Sequence, residues 1–184
     1  EDNKIDIVYN TEVWSVTKKD NIFSVQVQGN KIYQAKCVLI AIGKMGRPRQ
    51  PDYFKEIPAD LKNGGKIIFE ITSRQISGKK VLVVGGGDSA AEYCDILSSD
   101  NQITLSYRGT EFQKVNPLNR KIIEERISSA AVRALMPSQI QKIESDAGYP
   151  KVTFKEAQHG AEKFDLVLYA LGGMSPVEFL KNSQ

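Results

Sequence analysis

Three consecutive glycines, Gly85, Gly86 and Gly87, follow the apolar run Val81, Leu82, Val83 and Val84 and precede a stretch of helical periodicity. Each position has its own physical reading. The run is short and rich in β-branched residues, as a strand buried on both faces requires. Gly85 permits a tight turn, and Gly87 leaves the backbone bare so that a pyrophosphate can approach. The small Ala90 lets helix and strand pack closely, giving the pattern G-x-G-x-x-A. The first helical amides, from Asp88 onward, then face phosphate oxygens. Ala90, Tyr93, Cys94 and Leu97 recur at helical spacing and make one apolar face. Strand, turn and helix together point to dinucleotide binding; the plainer alternative is a structural glycine turn in some other α/β protein. Ser89, at the helix start, either caps the helix or binds phosphate, and both roles use the same hydroxyl geometry.

The choice of nucleotide falls at the end of the next strand, 102–108, where an NAD site usually offers a carboxylate to the ribose hydroxyls. Here Ser106 takes that place, followed by Tyr107 and Arg108. A carboxylate would repel a ribose 2′-phosphate, whereas a guanidinium pairs with it through parallel charge-assisted hydrogen bonds. NADP(H) is therefore expected over NAD(H). Lys114 and Arg120 follow and add positive charge, or simply form a solvated face. Residues 109–115 are expected to form the loop over the adenosine end.

The elements that must hold this turn belong to a chain of 184 residues, 41% hydrophobic and 26% charged, which is ordinary for a globular protein with one or two small cores. No apolar run approaches the roughly 20 residues of a bilayer span, and the first residues lack a signal-peptide pattern, so a cytoplasmic setting is expected. The net charge of +3 is too small and dispersed to argue for nucleic acid. Cys37 and Cys94 each sit in an apolar stretch and read as buried thiols rather than a disulfide. No metal-ligand cluster is present, and His159, the only histidine, reads as part of an exposed turn.

Residues 4–48 and 131–176 read as two versions of one plan. Each begins with a short apolar strand, at 5–9 and at 132–136. Val13 and Val16 in the first copy are answered by Ile140 and Ile143 in the second. Alternating strands follow, 22–27 with 31–35 against 151–156 with a shorter return. Both copies end in a buried strand and a glycine, at 37–43 with Pro48 beyond and at 165–172 with Pro176 beyond. The second copy completes a nucleotide-binding domain of parallel strands, crossover helices and a small antiparallel meander. The first is expected to be the tail of another such domain whose glycine motif lies upstream; a coincidental meander is the alternative. Residues 49–78, with Pro51, Pro58, Gly64 and Gly65, read as an interdomain linker crossing the surface. Asn116 and Pro117 start a helix through Ser128, with Leu118, Ile122 and Ile127 on its buried side.

Val83-Val84-Gly85-Gly86-Gly87-Asp88-Ser89-Ala90, Leu105-Ser106-Tyr107-Arg108-Gly109, Leu39-Ile40-Ala41-Ile42-Gly43 and Leu168-Tyr169-Ala170-Leu171-Gly172-Gly173 with Pro176 resemble the thioredoxin-reductase-like and flavin-monooxygenase-like pyridine nucleotide oxidoreductases. The resemblance covers nearly the whole chain. It implies an α/β fold, with a Rossmann-like NAD(P)H-binding domain over 79–176 and a β-meander remnant of an FAD domain over 1–48. Residues 177–184 would form an exit segment. Ile42 stands where the family usually has threonine. The resemblance also implies that an amino-terminal glycine motif and a carboxy-terminal Gly-Asp segment for FAD lie outside this chain, so that FAD belongs to the full-length protein only. The Cys-x-x-Cys of thioredoxin reductases is missing from its expected place at 66–72, so no dithiol relay is expected. Glu92 is spaced after Gly87 like a glutamate near the nicotinamide in related disulfide oxidoreductases; a helix glutamate pairing with a cation is the alternative.

The cofactor-binding candidates are thus Gly85, Gly86, Gly87, Asp88, Ser89, Ala90, Glu92, Ser106, Tyr107, Arg108, Lys114, Arg120 and Gly172, with no residue required as a covalent catalyst. The expected function is to position NADPH for hydride transfer to flavin, and then to oxygen, ferredoxin, quinone or a small molecule. Expected partners are NADPH and that unnamed acceptor, without a membrane span, and homodimerisation stays open. A non-enzymatic NAD(P)(H)-sensing module remains the alternative. A flavin-independent dehydrogenase is disfavoured because no Tyr/Lys or His/Asp proton-transfer set stands out.

Overall fold

The computed structural model describes residues 5–41, 48–72 and 74–173. The chain divides into two compact units, one over 1–46 and 174–184 and the other over 47–173.

The described part of the first unit is an antiparallel meander in the order β1 (Val13–Lys19), β2 (Ile22–Val27), β3 (Lys31–Ala35). Asp20 and Asn21, both at positive φ, make the two-residue turn between β1 and β2, where Asp and Asn tolerate the left-handed conformation better than other side chains.

In the second unit a 3-10 turn (Asp52–Glu56) and α1 (Ala59–Asn63) lead into β4 (Ile67–Ile68). Then come β5 (Lys80–Val84), α2 (Asp88–Leu97), β6 (Gln102–Ser106), α3 (Pro117–Ser128) and β7 (Val132–Leu135). A second meander, β8 (Ile140–Asp146), β9 (Tyr149–Phe154) and β10 (Ala161–Lys163), precedes β11 (Leu166–Tyr169). The five-stranded sheet has the order β4-β11-β5-β6-β7 and is parallel throughout. Side chains alternate across it, as the period of two demands. Val81, Val83, Leu105 and Leu168 face a core with Ala90, Cys94 and Leu97 of α2 and Ile123 of α3. Leu82, Val167 and Tyr169 face the opposite core, with Ile140, Ile143, Val152 and Phe154 of the meander.

The two meanders share more than a plan. Each residue of β1 and β2 has its counterpart 127 positions later, Val13 at Ile140 and Val27 at Phe154. The pairing is the same, Val16 with Val25 in one and Ile143 with Val152 in the other. Even the register irregularity recurs, between Val13 and Ser15 and between Ile140 and Lys142. Ala147 and Gly148, both at positive φ, occupy the second copy's turn.

Several expectations are corrected. Residues 5–9 form no strand, and Ile5, Ile7, Val8 and Tyr9 are exposed, because no described strand offers them a ladder of hydrogen bonds. Residues 37–41 are likewise not a strand; Leu39 is 89% exposed and Cys37 is exposed rather than buried. Ile42, Gly43, Pro176 and the exit segment 177–184 lie outside the described residues. The supposed linker 49–78 belongs to the second unit from residue 49 onward. Ile57 and Leu61 fill its core and β4 pairs with β11, so burial overrides its proline and glycine punctuation. On α3 the buried positions are Asn119 and Ile123; of the predicted face, Ile127 packs against the core, Ile122 is half-buried and Leu118 is 68% exposed. The bounds of α3 and its Asn116 cap, whose side chain accepts from the Asn119 amide, are as expected.

Two polar networks join the layers. Asp88 Oδ1 accepts hydrogen bonds from the Asn116 amide at 2.9 Å, the Asn116 side chain at 2.6 Å and Asn119 Nδ2 at 3.1 Å, and Asn119 Nδ2 also donates to Glu92 at 2.9 Å. This clasp ties the amino-terminal ends of α2 and α3 together. On the other face Glu162 accepts from Lys80 at 2.7 Å and from Arg133, and Arg133 also donates to the buried Thr104.

Asn119→Ala leaves two carboxylates each short of a donor and is expected to cost about 1–2 kcal/mol, given partial access of water. A lower urea midpoint at unchanged m-value checks it; an unchanged midpoint would show that water replaces the clasp. Burial pushes the Glu162 carboxyl up, but the hydrogen bonds and charges of Lys80 and Arg133 more than offset this and hold it below the usual carboxylate range. Its contribution is therefore present above the unfolded value of about 4.3 and lost as pH falls through the lower folded value. Glu162→Gln is expected to be less stable than the parent at neutral pH, with the difference shrinking below that window in urea melts; a gap that persists in acid would assign it to packing.

Candidate functional site

The carboxyl end of β5 runs into the glycine turn between its two neighbours. The Gly85 amide donates to Ser106 O at 3.0 Å, and Val84 O accepts from the Ala170 amide at 2.8 Å. Gly85 sits at φ 154, and a Cβ there would collide with the Ala170 carbonyl oxygen. Sterics thus admit only glycine. Gly87 is the N-cap of α2 without a side-chain cap bond, and a Cβ on it would meet nothing within 4 Å. No side chain therefore stands over Gly87 where a phosphate would approach the first turn of the helix, although the Lys114 backbone bridges to it. Ala90, 1% exposed, packs against the sheet as the motif requires.

The other candidates sort by what they touch. Ser89 is exposed at the second position of α2 and does not cap it. Asp88 and Glu92 are engaged in the clasp, so Glu92 pairs with a neutral amide rather than the cation considered above. Ser106 is 1% exposed, and its hydroxyl meets that of Ser138 at 2.9 Å, so the side chain faces inward. Arg108 and Lys114 are exposed on the loop after β6, and the Lys114 backbone pairs with Gly87. Arg120 is held in an exposed i,i+4 pair with Glu124 at 2.8 Å, the solvated reading. Gly172, at φ 80, gives its carbonyl to the Arg49 amide, which joins it to the start of the unit rather than to the glycine turn.

Tyr107 packs its ring on Gly86 and stacks on Phe112 with centroids 5.7 Å apart and an interplanar angle of 7°. Asn119, Phe112 and Ser138 escaped sequence reasoning. The signal for Asn119 was present: a polar residue four before Ile123 on the buried stripe requires a partner.

Away from the turn, burial pushes the Cys94 thiol up, with Asp95 adding to it, which makes it unreactive. Burial likewise pushes Tyr53 up to about 12, against the effect of its 3.1 Å hydrogen bond with Tyr169. His159 Nε2 lies 2.9 Å from Pro137 O and its ring meets Phe154 edge-on, a structural role. Clefts of about 370 and 410 Å³ open at the amino ends of β5 and β11, around Lys79 and Asp165. Open parallel sheets bind ligands at the carboxyl ends, which is where the glycine turn lies. Among the described residues no cluster of three or more His, Cys, Asp or Glu could hold a metal, and no helix is long and apolar enough to cross a membrane.

Comparison with known proteins agrees with this geometry. The chain is 30% identical over 181 residues to a ferredoxin–NADP reductase of Ignicoccus hospitalis, covering 91% of this chain and 56% of that protein. It is 30% identical over 148 residues to one from Lactococcus lactis subsp. cremoris, covering 78% and 44%. Among solved structures, the thioredoxin reductases of Lactococcus lactis and T. acidophilum each share its fold with a TM-score of 0.70, at 18% and 22% identity, covering 92% and 94% of this chain and 55% and 56% of theirs. The chain spans about half the length of these relatives. A family model described as pyridine nucleotide-disulphide oxidoreductase matches residues 1–184, and the chain belongs to that family.

Proposed function

We infer that this chain is the NADPH-binding part of a flavin-dependent oxidoreductase. The observation that carries the reading is the glycine turn at the carboxyl end of β5, bare above Gly87, with the exposed Arg108 beside it and no carboxylate at the end of β6. The residues fit the nucleotide in kind. The amides of Gly86, Gly87 and the first turn of α2 would hold the pyrophosphate, on a turn that Gly85 anchors by donating its own amide to Ser106 O. Arg108 would pair with the ribose 2′-phosphate and Lys114 would add charge. Asp88 and Glu92 serve by fixing α2 against α3. When bound, NADPH supplies a hydride and flavin accepts it, so the protein's part is binding and orientation.

The first unit supports the wider reading. In the second meander Ile140, Ile143 and Val152 are buried against the parallel sheet, whereas their counterparts Val13, Val16 and Val25 are only partly covered or exposed. A surface built on the same register calls for a sheet of the same kind, which the flavin domain of the resemblance would provide. The chain's cysteines are Cys37 and Cys94 alone, far apart in sequence, and they make no Cys-x-x-Cys. An acceptor other than a dithiol of this chain follows, and ferredoxin is the one that relatives at 30% identity name.

Arg108→Ala tests the core of this reading. Loss of a charge-assisted pair worth about 1.5–3 kcal/mol weakens NADPH binding by about 10- to 150-fold and leaves NADH nearly unchanged, as read by fluorescence titration of both. An equal effect on the two nucleotides would assign Arg108 to another role.

A further inference from the structure

Gly86 and Gly109 lack the backbone reason that usually demands glycine. Gly85 is at positive φ, but neither of these is. What each lacks is room. A Cβ on Gly86 would enter the Tyr107 ring at Cδ2, Cε2 and Cζ, and one on Gly109 would meet the ring's other edge, at 2.8 Å from Cε1 and 2.9 Å from Cζ. One ring thus accounts for two glycines on separate loops. The ring cannot retreat, because Phe112, 6% exposed, stacks on it. The Tyr107 backbone is also held on both sides, its amide by Leu135 O at 3.1 Å and its carbonyl by the Ser138 amide at 2.8 Å.

We propose that Tyr107 is a positioning residue for nucleotide specificity, a wedge matched to Gly86 that sets the distance between the pyrophosphate seat and the Arg108 guanidinium. This deepens the NADPH reading above and rests on it. The geometry assigns the effect to one end of the ligand. The pyrophosphate seat is built by Gly85, by Gly87 and by α2, whose amino end the Asp88–Asn119 clasp fixes independently. Arg108 is the next residue after the wedge and is exposed, so its place relative to that seat depends on how Tyr107 lies against Gly86. Lys114 is tied to Gly87 by its own backbone and depends on the ring less. Removing the ring should therefore cost the contact with the 2′-phosphate and spare what NADPH and NADH share.

The test is titration of the full chain with NADPH and with NADH, with thermal melts confirming that each variant folds. Tyr107→Leu is expected to lower the ratio of NADPH to NADH affinity about 5-fold or more, the scale of coupling between residues in contact. Tyr107→Phe, which keeps the ring, restores that ratio. Gly86→Ala weakens both nucleotides, and Gly86→Ala combined with Tyr107→Ala binds NADH more tightly than Gly86→Ala alone, because the second change makes the room the first one needs. Should Tyr107→Leu not fold, Phe112→Leu removes only the stacking partner and is read by the same ratio. The proposal is overturned if Tyr107→Leu weakens both nucleotides equally, or if the double variant is no better than Gly86→Ala. A parent chain that binds neither nucleotide would instead overturn the NADPH reading itself, and this inference with it.

Discussion

Strand β5 is hydrogen-bonded in parallel to β11 on one side and to β6 on the other, and the site depends on that double pairing. Helices α2 and α3 cover one face of the sheet and the second meander the other, which is why the side chains of β5 run Val81, Leu82, Val83 without exposure. Its carboxyl end then emerges between two other strand ends, and the chain must turn over Ala170 where no side chain fits. The glycine turn, Gly87 with no side chain over it and the amino end of α2 follow in order. The loop after β6 reaches the same place because β6 is the next strand in the sheet.

The glycine turn was legible because it is local: apolar strand, bare turn and apolar helix face fall within a short stretch and need no distant partner. The bounds of α3 were legible for the same reason, since the Asn116 cap and Pro117 announce themselves. What failed was whatever burial decides from afar. Leu118 looks like core in a helical wheel, yet Asn119 holds the inward position because Asp88 and Glu92 wait for its amide. Residues 49–78 look like a linker by composition, yet Leu61 and Ile67 are drawn into the core by Tyr169 and Phe164. Ser106 stands at the motif's ribose position, yet its hydroxyl meets that of Ser138, far along the chain, and the side chain is buried. Segments 5–9 and 37–41 are apolar enough for strands, but a strand is a property of a pair, and sequence reports only one member.

The two meanders separate register from burial. Their common bulge and two-residue turns show that hairpin geometry is fixed by the turn and by the local alternation of side chains. Burial is then set by what the hairpin meets. Ile140 is 5% exposed against the sheet, while its counterpart Val13 of the first copy is 47% exposed. Polar contacts follow the same division. The Glu162 cluster links the meander to the sheet, and the Asp88 clasp links helix to helix, so the two faces are fastened by separate and unlike networks.

The position of β11 has a consequence for how the sheet is assembled. It is the last described strand, yet it lies between β4 and β5, which do not pair with each other. The first contacts at its start, such as the Lys80 amide with Asp165, join residues 85 apart. Hairpins β1–β2 and β8–β9 close over a few residues and belong to the fast, local class of folding events, whereas a central strand delivered late bears the loop-closure entropy of the whole unit. Until it arrives, β5 is an edge with unpaired amides, and the turn above it lacks the Ala170 wall. During synthesis the glycine turn and its wall are therefore among the last features to become complete.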